Sequence, residues 1–377
     1  MTNIQHSSMK VTAAVTRSAH APFCLEEVEL ALPRTGEVMV RIAGVGLCHT
    51  DLVAAEGALG LKFPAVFGHE GAGVVEAIGT GVTKVVPGDR VAITFTSCGR
   101  CPLCLRHEPS YCESLATMNY TGLQPDGSRS MRDACGEISG NFFGQSSFAT
   151  HALAYERNIV KVPDGVPLEI AGTLGCGVQT GAGAVMRSMA CKPGSSLVVL
   201  GGGAVGLSAV LGAVLQPCST IIVVEPAGRR RNLALSLGAT HVVDPGAVTD
   251  VSAAVRHILP GGADYVFDTT GLPKVLSLVP QLLARRGTFG FVGAPPIDFA
   301  GMPLPGSMRE AMRGGFTYRG ILEGDSDPDV FIPQLMNLYV EGRFPFDRLI
   351  TRYPLAEINR AVDEQKRGLC VKPVLLP

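Results

Sequence analysis

Residues 197–224 carry no charged side chain, and a run of that length could cross a bilayer. Gly201-Gly202-Gly203 and Pro217 interrupt it, so it reads as strand, loop, helix and strand inside a soluble sheet, and no membrane partner is expected. The same rhythm continues downstream. Apolar strands at 197–200, 221–224, 241–243, 265–267 and 288–292 alternate with helical stretches at 204–215, 229–237, 251–258 and 273–284, and 316–319 offers a sixth strand. Strands joined by helices in this way form a doubly wound parallel sheet. From residue 10 to about 158 the chain instead shows short β runs cut by Gly and Pro, at 11–16, 38–42, 74–78 and 91–95. That part reads as a compact β-rich domain, with 113–144 as an extended surface excursion. A helical 355–366 and a strand-like 371–376 close the chain, a tail expected to rejoin the first domain.

Gly201, Gly203 and Gly206 leave an apolar strand and open a helix. In that setting Gly201 allows the tight turn, Gly203 lets a pyrophosphate approach the backbone, and Gly206 packs helix on strand, with the helix N-terminus facing the phosphates. Glu225 stands nineteen residues beyond Gly206, at the end of the next strand. A carboxylate there accepts hydrogen bonds from the adenosine ribose hydroxyls and repels a 2′-phosphate, which favours NAD over NADP. Arg229, Arg230 and Arg231 complicate that choice, since arginines just after the second strand can hold a 2′-phosphate; their plainer role is a solvated first helical turn.

Lys and Arg total 32 against 33 for Asp and Glu, with no clustered basic face, so nucleic acid is not an expected partner. Residues 1–10 lack the apolar core of a secretory signal, and a cytoplasmic location is expected. In a reducing compartment, clustered cysteines among a total of eleven point to metal rather than disulfides. Cys98, Cys101, Cys104 and Cys112 follow one another with two, two and seven residues between them. Four thiolates on one loop make a closed tetrahedral zinc site with no room for substrate. Bacterial ferredoxins open with the same spacing, but their fourth Cys comes after three residues and precedes Pro, whereas Cys112 precedes Glu113. A second donor set is scattered through Gly-rich stretches: Cys48 before His49-Thr50-Asp51, His69 within Gly68-His69-Glu70-Gly71, and Cys176 within Gly175-Cys176-Gly177. One His and two Cys from distant parts of a chain make a three-ligand zinc site whose fourth position is open for catalysis.

Taken in order, Cys48-His49-Thr50-Asp51, Gly68-His69-Glu70, the four-Cys loop, Gly175-Cys176-Gly177 and the Gly201 loop resemble the zinc-dependent medium-chain alcohol dehydrogenases over nearly the whole chain. The stretches 142–148 and 344–351 are most similar to the aryl-alcohol and geraniol dehydrogenase branch. The resemblance implies an α/β protein: a GroES-like β-rich catalytic domain, 1–178 with 320–377, around a central Rossmann domain, 179–319. It further implies NAD and two zinc ions per subunit, one catalytic on Cys48, His69 and Cys176 and one structural on Cys98, Cys101, Cys104 and Cys112. Thr50 matches the hydroxyl that bonds the alcohol oxygen, Asp51 the carboxylate orienting His69, and Glu70 a carboxylate close behind the metal. His49 and Lys372 match basic groups for the pyrophosphate, Thr180 and Val205 positions near the nicotinamide, and Arg230 a further cofactor contact. Several family members place a His five residues after the first Cys ligand as the outer proton acceptor. Here that residue is Val53, so solvent or another group must take the proton.

By family position Leu59, Phe142, Phe143, Ala294 and Leu322 line the alcohol pocket, an apolar and partly aromatic wall suited to an aromatic or allylic terpenoid primary alcohol. The alternatives are ordinary core positions for these residues, a short aliphatic alcohol as substrate, and a dinucleotide-binding protein without turnover. Family members are dimers or tetramers, and the long segment between Cys112 and Cys176 is similar to the dimeric forms, so a homodimer is expected, with a homotetramer as the other form.

Overall fold

Short strands separated by Gly and Pro turns make up the N-terminal half: β1 (Ser8–Thr16), β2 (Cys24–Ala31), β3 (Glu37–Gly46), β4 (Ala65–Val66), β5 (Gly71–Ile78), β6 (Arg90–Ile93), β7 (Met131–Asp133), β8 (Gly136–Ile138), β9 (His151–Tyr155) and β10 (Ile159–Lys161). More uniformly apolar runs form β11 (Ser196–Leu200), β12 (Thr220–Val224), β13 (His241–Val243), β14 (Ala263–Asp268), β15 (Leu283–Phe291) and β16 (Thr317–Gly320), and the tail adds β17 (Ile350–Pro354) and β18 (Lys372–Leu376). These elements come from a computed structural model that describes residues 8–293 and 301–377.

One unit takes the chain up to Cys176, together with Asp327–Gly342 and Ile350–Pro377. It contains a sheet in the order β4-β1-β2-β7-β8 and a second in the order β10-β6-β5-β3-β18-β17, with β9 also paired to β3. The tail completes the second sheet: β18 runs antiparallel to β3, Val374 opposite Gly46 and Leu375 opposite Val45. Inward-facing Val15, Leu30, Val40, Phe67 and Phe148 fill the core. The expected surface excursion at 113–144 is corrected here. β7 and β8 extend the first sheet, and Ile138 and Phe142 are fully buried, because these few apolar side chains find the core despite polar neighbours.

The other unit comprises Gly177–Ser326 and Arg343–Leu349. Its sheet runs β13-β12-β11-β14-β15-β16, all neighbours parallel. β11 is buried along its whole length, as a central parallel strand covered on both faces must be. The helix Ala204–Leu215 is apolar all round, and the helix Gly177–Gly183 packs on it so closely that Gly181 lies against Val205 and Ala209.

Two expectations shift. The helix at 273–284 divides into Pro273–Leu276 and Val279–Leu282, since Pro280 has no N–H to donate and Leu283 turns extended, ψ 137°, into β15. The boundary at 319/320 moves, because Ser326 Oγ donates to Gln179 Oε1 at 2.9 Å and Ser188 Oγ to Asp325 Oδ2 at 2.6 Å. Arg343–Leu349 also joins this unit, with Arg348 donating to the Ser236 carbonyl and hydroxyl, both at 2.9 Å. Among the described residues no helix is long and apolar enough to cross a membrane, and 197–224 is strand, loop, helix and strand.

Candidate functional site

Cys48 caps the N-terminus of the helix His49–Ala55, and the carboxylate of Asp51, one turn in, does three things at once. Oδ2 accepts the Cys48 N–H at 2.9 Å, while Oδ1 accepts the Gly68 N–H at 3.0 Å and meets His69 Nδ1 at 2.8 Å. A single buried group thus fixes one ligand segment against the other and directs the far imidazole nitrogen, Nε2, inward. Cys176 follows the short helical turn Gly172–Gly175, whose last carbonyl accepts from Thr94 Oγ1 at 2.6 Å. One donor atom each of Cys48, His69, Glu70 and Cys176 lies within 4.8 Å of the others.

The electrostatics of this cluster favour a cation. Hydrogen bonding from Cys176 holds the Cys48 thiol well below its ordinary range against the opposing effect of burial, and Lys372 and His69 help. Burial works against charge on His69, yet Asp51 and Cys48 push its pKa well above the imidazole range. Nε2 is buried and has no hydrogen-bond partner among the described residues. A proton and a metal ion would compete for that one nitrogen, and a soft divalent cation satisfies two sulfurs and an imidazole together. Asp51→Asn should therefore weaken metal affinity about 10–100-fold, measured by competition with a chromogenic chelator, because the amide cannot fix the ring as the carboxylate does.

Cys98, Cys101, Cys104 and Cys112 form a second cluster with the same mutual limit of 4.8 Å. Backbone N–H groups point at the sulfurs: Cys98 N–H to Cys112 at 3.2 Å, Cys101 N–H to Cys98 at 3.4 Å, and Ser114 N–H to Cys112 at 3.4 Å. Amides of Cys104 and Glu113 bring Cys101 down to about 6, whereas burial pushes Cys112 up to about 12. Four crowded sulfurs cannot all ionise without a cation between them, which suits a closed tetrahedral site.

In the other unit, Gly201 holds φ at +100°, a left-handed turn that a side chain would strain. Gly203 caps the helix Ala204–Leu215, and a Cβ built on it meets nothing within 4 Å, leaving open room in front of the helix N-terminus where a pyrophosphate could approach. Glu225 is 4% exposed; its Oε2 accepts the Gly202 N–H at 2.7 Å and its Oε1 the Ala227 N–H at 2.8 Å. Its charge is thereby held at the loop with lone pairs to spare for ribose hydroxyls.

Comparison with known proteins agrees with this geometry. Residues 34–164 match the alcohol dehydrogenase GroES-like domain, and 204–340 match the zinc-binding dehydrogenase family. A geraniol dehydrogenase of Castellaniella defragrans is 46% identical over 365 residues, 97% of each chain. The chain belongs to the zinc-binding alcohol dehydrogenase family. Among solved structures, a zinc-binding-domain alcohol dehydrogenase from Burkholderia ambifaria superposes with a TM-score of 0.94 at 48% identity, covering 98% of this chain and 100% of that one. A benzyl alcohol dehydrogenase from Acinetobacter calcoaceticus gives 0.93 at 39% identity, covering 98% and 99%.

Other expected site residues of this alcohol dehydrogenase fall in varied surroundings. Thr50 Oγ1 lies 3.8 Å from Cys48 Sγ, and His49 is exposed at the start of its helix. Lys372, expected at a pyrophosphate, is only 1% exposed; its ammonium donates to Glu70 at 2.5 Å and to the Leu47 carbonyl at 3.3 Å. A buried carboxylate of the donor cluster needs that counter-charge: burial pushes Glu70 up to about 7, with Lys372 opposing. Removing one partner of such a pair costs about 3–5 kcal/mol. Phe142 is fully buried rather than open to a pocket, edge-on to Phe67 and His69, and Phe143 stacks on the His69 ring with centroids 4.4 Å apart. Both rings brace the imidazole. Leu59 is half-buried against the core of its unit, whereas Leu322 is 41% exposed in the other. Thr180 is buried with Oγ1 3.5 Å from Glu323 Oε2, Val205 and Arg230 are half-buried, and Ala294 lies outside the described residues.

One positioning residue escaped the sequence reading. Gln145 is fully buried; its Nε2 donates to the His69 carbonyl at 2.8 Å, and its Oε1 accepts the Gly71 N–H at 3.0 Å. Its only signal was a long amide set between Phe142-Phe143-Gly144 and Ser146-Ser147-Phe148.

Proposed function

We propose that this enzyme oxidises primary aromatic or allylic alcohols reversibly to aldehydes with NAD in the cytoplasm, as a homodimer or homotetramer holding two zinc ions per subunit. The observation that carries the chemistry is the meeting of Cys48, His69 and Cys176 around a bare, buried Nε2. The substrate class draws support from the named relatives, since geraniol is an allylic alcohol and benzyl alcohol an aromatic one.

In this reading Cys48, His69 and Cys176 hold the catalytic ion, and the four-Cys loop holds the other. When bound, zinc supplies Lewis-acid polarisation of the alcohol oxygen and NAD supplies the hydride acceptor. Thr50 receives the substrate proton at Oγ1 and releases its own outward; with Val53 one turn on, solvent is the final acceptor. Asp51 keeps Nδ1 occupied so that Nε2 stays aimed at the ion. Gly201, Gly203 and Gly206 admit the pyrophosphate and Glu225 selects a free ribose 2′-hydroxyl, while His49, exposed at its helix start, is taken as a basic group for the cofactor. Thr180, Val205 and Arg230 are taken as further cofactor contacts, and Leu59 as a pocket position on its own unit.

A panel of benzyl alcohol, cinnamyl alcohol, geraniol, perillyl alcohol and ethanol, each with NAD and with NADP, tests the proposal. The four unsaturated alcohols should exceed ethanol by about 100-fold in kcat/KM, the scale set by a few buried methylenes in an apolar pocket. Ethanol turnover matching theirs, or a higher kcat/KM with NADP, would contradict it.

A further inference from the structure

Three arginines in succession come shortly after Glu225, the residue that follows β12, which is where a dinucleotide carrying a 2′-phosphate would find a cation. Arg231 is tied down. Its Nη1 donates to the carbonyls of Glu225 at 2.8 Å and Pro226 at 2.7 Å, and its Nη2 lies 2.6 Å from Asp244 Oδ2. The two side chains are 19% and 29% exposed, so the pair is partly shielded from water. Asp244 is itself fixed. It follows β13 directly, its Oδ1 accepts the Gly246 N–H at 2.9 Å, and the neighbouring strand end is joined by Glu225 N–H to the Val243 carbonyl at 3.1 Å.

We infer that Asp244 is a specificity-determining residue for the dinucleotide, holding Arg231 against the ends of two neighbouring strands so that its guanidinium is withheld from a 2′-phosphate. The inference rests on the NAD reading above. A guanidinium binds phosphate through paired N–H donors, and Arg231 has its Nη1 hydrogens on carbonyls and an Nη2 hydrogen on a carboxylate. An incoming 2′-phosphate would have to break the Arg231–Asp244 pair and then sit near two carboxylates, Glu225 and Asp244. Without Asp244, Nη2 is released and one of the two negative charges is gone. Glu225 rejects the phosphate by its own charge; Asp244 rejects it by engaging the cation that would otherwise accept it.

The test compares the association constants of NADH and NADPH, read by titration of nicotinamide fluorescence, and kcat/KM for NAD and NADP at saturating benzyl alcohol or geraniol, in the zinc-loaded wild type, Asp244→Asn, and Asp244→Asn with Arg231→Ala. Asp244→Asn should raise the NADPH and NADP values about fivefold or more while the NADH and NAD values stay within about twofold, and the added Arg231→Ala should abolish the gain. An unchanged NADPH or NADP value in Asp244→Asn would overturn the inference, as would a gain that persists in the double variant, which would reduce the effect to loss of a negative charge. If Asp244→Asn melts too early to assay, Asp244→Ser, which keeps an acceptor for the Gly246 N–H, carries the same expectations. The NAD reading is judged separately, by the wild-type cofactor ratio alone.

Discussion

On the two-zinc reading proposed above, Cys176→Ser should cut kcat/KM by about 1,000-fold and lower bound zinc from about two ions per chain to about one, since Lewis-acid polarisation of an alcohol oxygen is worth several kcal/mol. The argument is chemical. Serine keeps the size of cysteine but its hydroxyl does not ionise near neutrality, so the cluster would lose one of its two thiolates while Cys48 and His69 stay in place. Asp51 continues to hold the Cys48 and Gly68 amides, so the fold should remain intact by circular dichroism. Inductively coupled plasma measurement of zinc beside steady-state kinetics gives both numbers. Full turnover with two ions still bound would remove this cluster from the chemistry.

Cys101→Ala should act on the other cluster in the opposite order, harming the fold before the reaction. A closed four-sulfur site binds its ion with about 10 kcal/mol or more in small peptides, and that free energy organises the loop around it. Between Cys98 and Cys112 the secondary structure is limited to the short helices Pro102–Leu105 and Pro109–Tyr111, so little else orders the segment. We expect the apparent melting temperature to fall by about 10 °C or more, with a matching loss of soluble protein. The fraction that remains folded should keep a kcat near that of the parent. An unchanged melting curve with lost activity would reverse the assignment of the two sites.

Much of this architecture is legible in local patterns because local patterns cause it. The parallel sheet follows from uncharged strands such as 197–200 and 221–224 alternating with helical stretches, and five of its strands fall within a few residues of their expected places. The four-Cys loop is legible from spacing alone, since its donors are close in the chain. The helix at 273–284 failed where one proline overrode a helical stretch. Residues 113–144 misled because polar composition says little about where Ile138 and Phe142 end up. The roles of Gln145 and Lys372 depend on contacts made across 76 and 302 positions of chain, and no window of sequence reports on a partner that distant. The same holds for the stacking of Phe143 on His69, which needs a backbone φ of 53° that few non-glycine residues adopt.

Because β18 lies between β3 and β17 in its sheet, a strand near the end of the chain fills a slot beside one made near the beginning. On the ribosome, β9 can pair with Glu37–Arg41 early, but the Val45–Gly46 end of β3 would wait until Val374 and Leu375 had been translated, and Glu70 would wait equally long for the ammonium of Lys372. That unit can therefore complete its sheet only after the nucleotide-type sheet encoded between its two segments has had time to form.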